Sequence, residues 1–138
     1  MGFGEAIRTV LTEKYATFSG RASRSEYWWF QLFFHSLLAC YFIVSTVIAA
    51  TTWNTSIGLG ILVIAFFLPQ IALAVRRLHD RNLSGWWYLG FIIAWFVPYL
   101  NLLAIITLIV LFAFPGTKGP NRFGPDPLNP QSSAEVFA

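Results

Sequence analysis

The chain has 138 residues, 57% of them hydrophobic and 11% charged, with a net charge of +3 at pH 7. That apolar share exceeds the level of about 45–50% usual in soluble domains, and the length has room for one domain, so a soluble multidomain enzyme is excluded. The charge is also missing in blocks, since no Asp, Glu, Lys or Arg occurs from Tyr27 to Val75 or from Trp86 to Thr117. Runs of that length belong in a bilayer, whose hydrocarbon core of roughly 30 Å is crossed by about 20 helical residues.

The first segment, residues 1–18, places Phe3, Ile7, Val10, Leu11, Tyr15 and Phe18 at spacings of three and four. This predicts an amphipathic interfacial helix, too polar to span, lying along the membrane surface. No cleavable leader is expected, because Glu13 and Lys14 interrupt any early apolar core. Ser23-Arg24-Ser25-Glu26 has the spacing of a capping box, in which Ser23 takes an orphan amide and Glu26 reaches back. The first span follows from Tyr27 to Ala50 and opens on the aromatic belt Tyr27-Trp28-Trp29. An uncharged loop, 51–56, leads into a second span from Ile57 to Val75 that carries Pro69 and Gln70.

Arg76-Arg77-Leu78-His79-Asp80-Arg81 comes next and is expected in a loop over 76–85. With Arg21 and Arg24 it loads both ends of the first helical hairpin with positive charge, which puts the N-terminus and this loop in the cytoplasm and residues 51–56 outside. The third apolar stretch, from Trp86 to Phe114, would make a helix of about 43 Å, longer than the hydrocarbon is thick. One strongly tilted helix could absorb the excess. Pro98 in its middle, with Asn101 three residues on, favours two short helices over 84–97 and 99–114 that return to the cytoplasmic side. From Pro115 to Pro127, seven of thirteen residues are Gly or Pro, which predicts turns and extended chain. Residues 128–138 read as a disordered tail. The fold class is therefore an all-α integral membrane protein with an interfacial helix and four membrane segments, N-in and C-in, its membrane domain and polar cap running over 19–127.

Three stretches carry a resemblance: 18–30, 76–81 with Ser84-Gly85-Trp86-Trp87, and 116–127. In this order they resemble the bacterial domain of unknown function 805 family of small inner-membrane proteins. The resemblance implies a multi-pass protein of the bacterial cytoplasmic membrane. It implies no activity and supplies no catalytic residue.

If the third stretch returns, all three motifs share one cytoplasmic face. Arg21, Arg24, Glu26, Arg76 and Arg77 would then join His79, Asp80, Arg81, Arg122, Phe123 and Asp126 in one ion-paired cap over the helix ends. Charges beside apolar spans are costly unless paired, so Glu26 or Asp80 is expected to meet an Arg of another motif, with Phe123 packed inward. Arg76, Arg77 and Arg81 suit phosphate geometry and make anionic headgroups the expected lipid partner, beside a protein partner or a second copy of the chain. Nucleic acid is not expected.

His79-Asp80 is a pair found in metal-dependent phosphohydrolases, but the only other histidine, His35, lies within the first span, so no metal site is expected. Gly116-Thr117-Lys118-Gly119 is followed by prolines instead of a helix, which argues against a phosphate loop. Cofactors are not expected, and Cys40 reads as a small residue within a span. Gln31, His35, Gln70 and Asn101 are the intramembrane polar groups and suit hydrogen bonds between helices better than a proton relay. These features favour a non-enzymatic scaffold or interaction module in envelope maintenance or stress response. A channel or transporter subunit built on the intramembrane polar groups is the alternative, and a headgroup enzyme using His79 and Asp80 is a remote one.

Overall fold

The computed structural model describes residues 1–47 and 52–129, and these are helical with no β-strand among them. Helix α1 (Phe3–Arg8) runs into a wider π-helical turn, Thr9–Glu13. Helices α2 (Arg24–Val47) and α3 (Thr52–Asp80) are the two long ones, and α4 (Trp86–Trp95) and α5 (Leu100–Ala113) complete the chain. The sequence expectation of helix to residue 18 is corrected: helix ends at Glu13. The Lys14 amide closes the π turn on the Thr9 carbonyl at 2.8 Å, and the wider turn swings Thr9 and Val10 into the interior. Val10 packs with Ala22, Phe30 and Leu73, so the N-terminal segment docks on the long helices as well as presenting an apolar edge.

Two boundaries differ from expectation in the second span. Helix α3 begins at Thr52, which shortens the expected 51–56 loop, and it continues through Arg76–Asp80, which are helical instead of forming a loop. Its end is a Schellman closure: Asn82 adopts φ 59°, its amide bonds the His79 carbonyl at 2.9 Å, and the Leu83 amide reaches Leu78 at 2.9 Å. Leu78 and Leu83 pack in the same apolar cluster, as that motif favours. Pro69 lies inside α3 and cannot donate to the Ala65 carbonyl one turn back. The Tyr15 hydroxyl donates to that carbonyl, so a residue of the N-terminal segment completes the helix where its own backbone cannot.

The third apolar stretch breaks where Pro98 predicts, with Tyr99 at φ 69°. The two helices have 10 and 14 residues, about 15 and 21 Å, each short of the hydrocarbon thickness. They pack against each other as a hairpin. Gly85 sits so close to Val75 that a Cβ there would meet the valine side chain at 2.6 Å, and this lets α4 start against the end of α3. At the other end of the hairpin Phe112 packs with Ala74 and Leu78, and its ring meets Tyr27 edge-on at 4.7 Å. The start of α2, the end of α3, the start of α4 and the end of α5 therefore gather at one end of the bundle. The expected last residues of the first span, 48–50, and the expected disordered tail from 130 onward lie outside the described residues.

Candidate functional site: a buried ionic cap and an intramembrane polar seam

The gathered helix ends are covered by Arg21, Ala22 and Ser23 on one side and by residues 116–126 on the other. Ser23 caps α2 by accepting the Glu26 amide at 3.2 Å. Glu26 does not reach back as in a full capping box, because its carboxylate is held by Arg76, 2.5 Å away. That ion pair is buried, with Arg76 at 0% exposure and Glu26 at 2%. Among the described residues Arg76 Nε and Nη2 have no partner, and Glu26 is the carboxylate that meets its charge.

Asp80 is the centre of the second group. One of its oxygens accepts from Arg21, Nε at 2.9 Å and Nη2 at 2.8 Å, and the other accepts from Arg77 Nη1. Arg21 also donates to the carbonyls of Thr117 at 2.5 Å and Gly119 at 2.6 Å. Arg77 donates to the Phe112 carbonyl at 2.9 Å and to that of Phe114, closing the negative end of α5. Three buried guanidiniums thus face two buried carboxylates. Backbone carbonyl dipoles compensate the surplus positive charge.

The Gly/Pro stretch is ordered because it completes α3. The Thr117 amide and hydroxyl both donate to the Asp80 carbonyl, at 2.8 and 3.1 Å, and Asn121 Nδ2 donates to the His79 carbonyl at 2.9 Å. Gly116 lies against the Asp80 carboxylate, where any Cβ would collide with it. Asp126 accepts from the amides of Gly119, at 3.0 Å, and Leu128, at 2.9 Å. Its slight burial opposes ionisation, but these amides, that of Asn129 and the Arg21 charge outweigh it and hold the carboxyl below its ordinary range. Residues 128 and 129, the start of the expected tail, are thereby turned back onto Asp126.

The remaining cap candidates lie at the rim. His79 Nδ1 donates to the Gly20 carbonyl at 3.1 Å, and its ring stacks on Phe123 with centroids 3.9 Å apart. Arg122 lies over the Phe123 ring and donates to the Asn82 carbonyl. Arg81 donates to the Pro115 carbonyl, and the exposed Arg24 makes a long contact of 3.4 Å to the Ala113 carbonyl. Arg76 and Arg77, read from sequence as headgroup ligands, are fully buried and engaged inside the protein. Tyr15, Asn82, Thr117 and Asn121 were not singled out from sequence. Asn82 was the most accessible of these, since an asparagine just past a helix end, with Leu78 and Leu83 to pack together, is a stop signal.

Below the cap, Gln31 Nε2 donates to Gln70 Oε1 at 2.8 Å and joins α2 to α3. His35 Nδ1 donates to the Gln31 carbonyl at 2.7 Å. Asn101 is not part of this seam; its side chain accepts from the Leu102 amide at the tip of the α4–α5 hairpin. Cys40 is exposed on α2. Among the described residues no three His, Cys, Asp or Glu converge as metal ligands.

The family model described as "Protein of unknown function (DUF805)" matches residues 15–125, which takes in the first two motifs and the third as far as Pro125. The chain belongs to the DUF805 family. It is 40% identical over 117 residues to the inner membrane protein YhaI of Escherichia coli K12, covering 85% of this chain and 91% of that one. It is also 40% identical over 121 residues to the inner membrane protein YhaH of the same strain, with 85% and 92% covered. The uncharacterized protein YiiR is 32% identical over 136 residues, with 80% and 85% covered. No solved structure matches the chain. This DUF805 protein is thus a multi-pass protein of the bacterial inner membrane, with α2 and α3 as its helices of spanning length.

Proposed function

We propose that this DUF805 protein is a non-enzymatic module with four membrane segments, N-in and C-in, whose cap is a rigid cytoplasmic platform for anionic lipid headgroups. The observation that carries this reading is that both cap carboxylates, Glu26 and Asp80, are taken up in buried ion pairs. A catalytic centre keeps an acid, base or nucleophile free toward its substrate. Glu26 and Asp80 are instead buried in ion pairs, and His79 bonds the Gly20 carbonyl and stacks on Phe123. The buried guanidiniums are engaged internally, while Arg24, Lys118 and Arg122 remain exposed at the boundary where anionic headgroups concentrate. A channel reading gains less support, because Asn101 stands apart from Gln31, His35 and Gln70.

The test is native mass spectrometry of the protein released from bilayers of equal phosphatidylglycerol and phosphatidylcholine. Retained phosphatidylglycerol should predominate, and Arg24→Gln/Lys118→Gln/Arg122→Gln should abolish the preference. Equal retention of both lipids by the unmodified protein would overturn the headgroup reading. A reporter fused after Ala138 should register as cytoplasmic, and activity of a periplasm-only reporter there would overturn the four-segment topology.

A further inference from the structure

A cavity of about 740 Å³ opens between α2, α3 and the α4–α5 hairpin, with Gln31, His35 and Gln70 on one wall and Trp95, Leu108 and Ile109 among the apolar residues facing it. Its size lies within the range of about 300–1,000 Å³ typical of small-molecule sites. Gln31 and His35 lie about 11 and 17 Å along α2 from its first residue, well inside the hydrocarbon.

The hydrogen bonds of this wall are incomplete. Gln31 donates to the Gln70 carbonyl oxygen, and among the described residues the Gln70 amide nitrogen has no partner. His35 donates through Nδ1 to the Gln31 carbonyl, which can only accept, so the neutral ring carries a free acceptor at Nε2. One donor and one acceptor are therefore left on the wall of an apolar cavity, at a depth where water is scarce and an unpaired polar group costs several kcal/mol. An acyl chain of a bulk lipid would fill the space and leave both groups unpaired. A charged headgroup would find no counter-charge at this depth, because no Asp, Glu, Lys or Arg lies between Tyr27 and Val75 or between Trp86 and Thr117.

The geometry points to a binding site for a neutral, membrane-soluble lipid that carries a hydroxyl head on an apolar body. The head hydroxyl accepts from the Gln70 amide and donates to His35 Nε2, and the body lies against Trp95, Leu108 and Ile109. This site is separate from the cap and does not depend on the headgroup reading. A quinol and a diacylglycerol both have this chemistry, whereas a quinone, which can only accept, leaves His35 Nε2 unpaired.

The Trp95 indole N–H resonance, followed in phosphatidylcholine nanodiscs, reads occupancy directly. Decylubiquinol, dioctanoylglycerol and hexadecane are titrated separately. A saturable shift with either hydroxyl-bearing probe is expected, with none from hexadecane, and the probe that produces it identifies the quinol or glyceride source. Gln31→Leu/Gln70→Leu removes both amides together so that neither is orphaned, and it should raise the titration midpoint at least tenfold. His35→Phe, which leaves the α2–α3 bond untouched, should do the same and decides the matter if the double variant fails to fold. An equal response to hexadecane, no response to either headed probe, or an unchanged midpoint in His35→Phe overturns the site.

Discussion

At the cap, Arg21, Glu26, Arg76, Arg77 and Asp80 are buried charges that hold one another and the ends of two helices. Deeper in the bundle, Gln31, His35 and Gln70 are neutral groups that face an open cavity, and the Gln31–Gln70 bond joins α2 to α3. The difference follows from desolvation. At the helix ends a charge can be met by an opposite charge and by free carbonyls, and once buried it demands them all. Deeper in, the affordable polar group is neutral, and it can be left with one bond unmade. The buried interior of the cap is therefore a locked element, whereas the seam keeps neutral polar groups beside open space.

Removing a single carboxylate from the cap tests that contrast most severely. Asp80→Ala leaves Arg21 and Arg77 without a counter-charge and should destabilise the detergent-solubilised protein by about 3–5 kcal/mol, read as a fall in thermal midpoint. A loss below about 1 kcal/mol would mean that carbonyls alone hold the two guanidiniums. Glu26→Ala should cost nearly as much, since Arg76 has no other ion-pair partner among the described residues, whereas Glu26→Leu/Arg76→Met should regain most of the loss. Failure of that rescue would assign Glu26 a role beyond the pair.

Tyr15→Phe orphans the carbonyl that Pro69 releases and should cost about 1–3 kcal/mol. Faster hydrogen exchange in α3 around residue 69 would locate the effect. Gln31→Leu/Gln70→Leu removes both partners of a neutral bond and should change stability by less than about 1 kcal/mol, and a loss as large as that of Asp80→Ala would erase the distinction between cap and seam. The smallest effect concerns pH. Asp126 ionises more easily folded than unfolded, so its contribution is present above its ordinary value of 3.8 and is lost as pH falls through the lower folded value. Proteolysis within 117–128 should accelerate in acid, and Asp126→Asn should remove that pH dependence.

The spans were legible because missing charge is a one-dimensional signal, and the break at Pro98 because proline acts locally. The cap's membership was legible from adjacency to apolar runs. Other features depended on distant partners. Arg76–Asp80 extend α3 only because Thr117 and Asn121, about forty residues away, take the last carbonyls. The Glu26 side chain leaves its capping role because Arg76, fifty residues on, competes for it. The π turn at Thr9–Glu13 has no composition signal, and the tie from Tyr15 to Ala65 is visible only when Pro69 is considered together with a tyrosine outside the span.

The Arg21 bond to Gly119 closes a span of 98 residues. During synthesis Arg21 emerges long before the carbonyls of residues 117 and 119 exist, so contacts of this range form late and set the order of assembly. Until the last motif leaves the ribosome, Arg21 and Asp80 can pair and Arg77 can close α5, but the end of α3 stays open. A chain interrupted before residue 117 carries all the helices of the described residues but lacks the groups that close the end of α3. The 116–126 segment thus acts as a latch that can close only after the rest of the cap has been made.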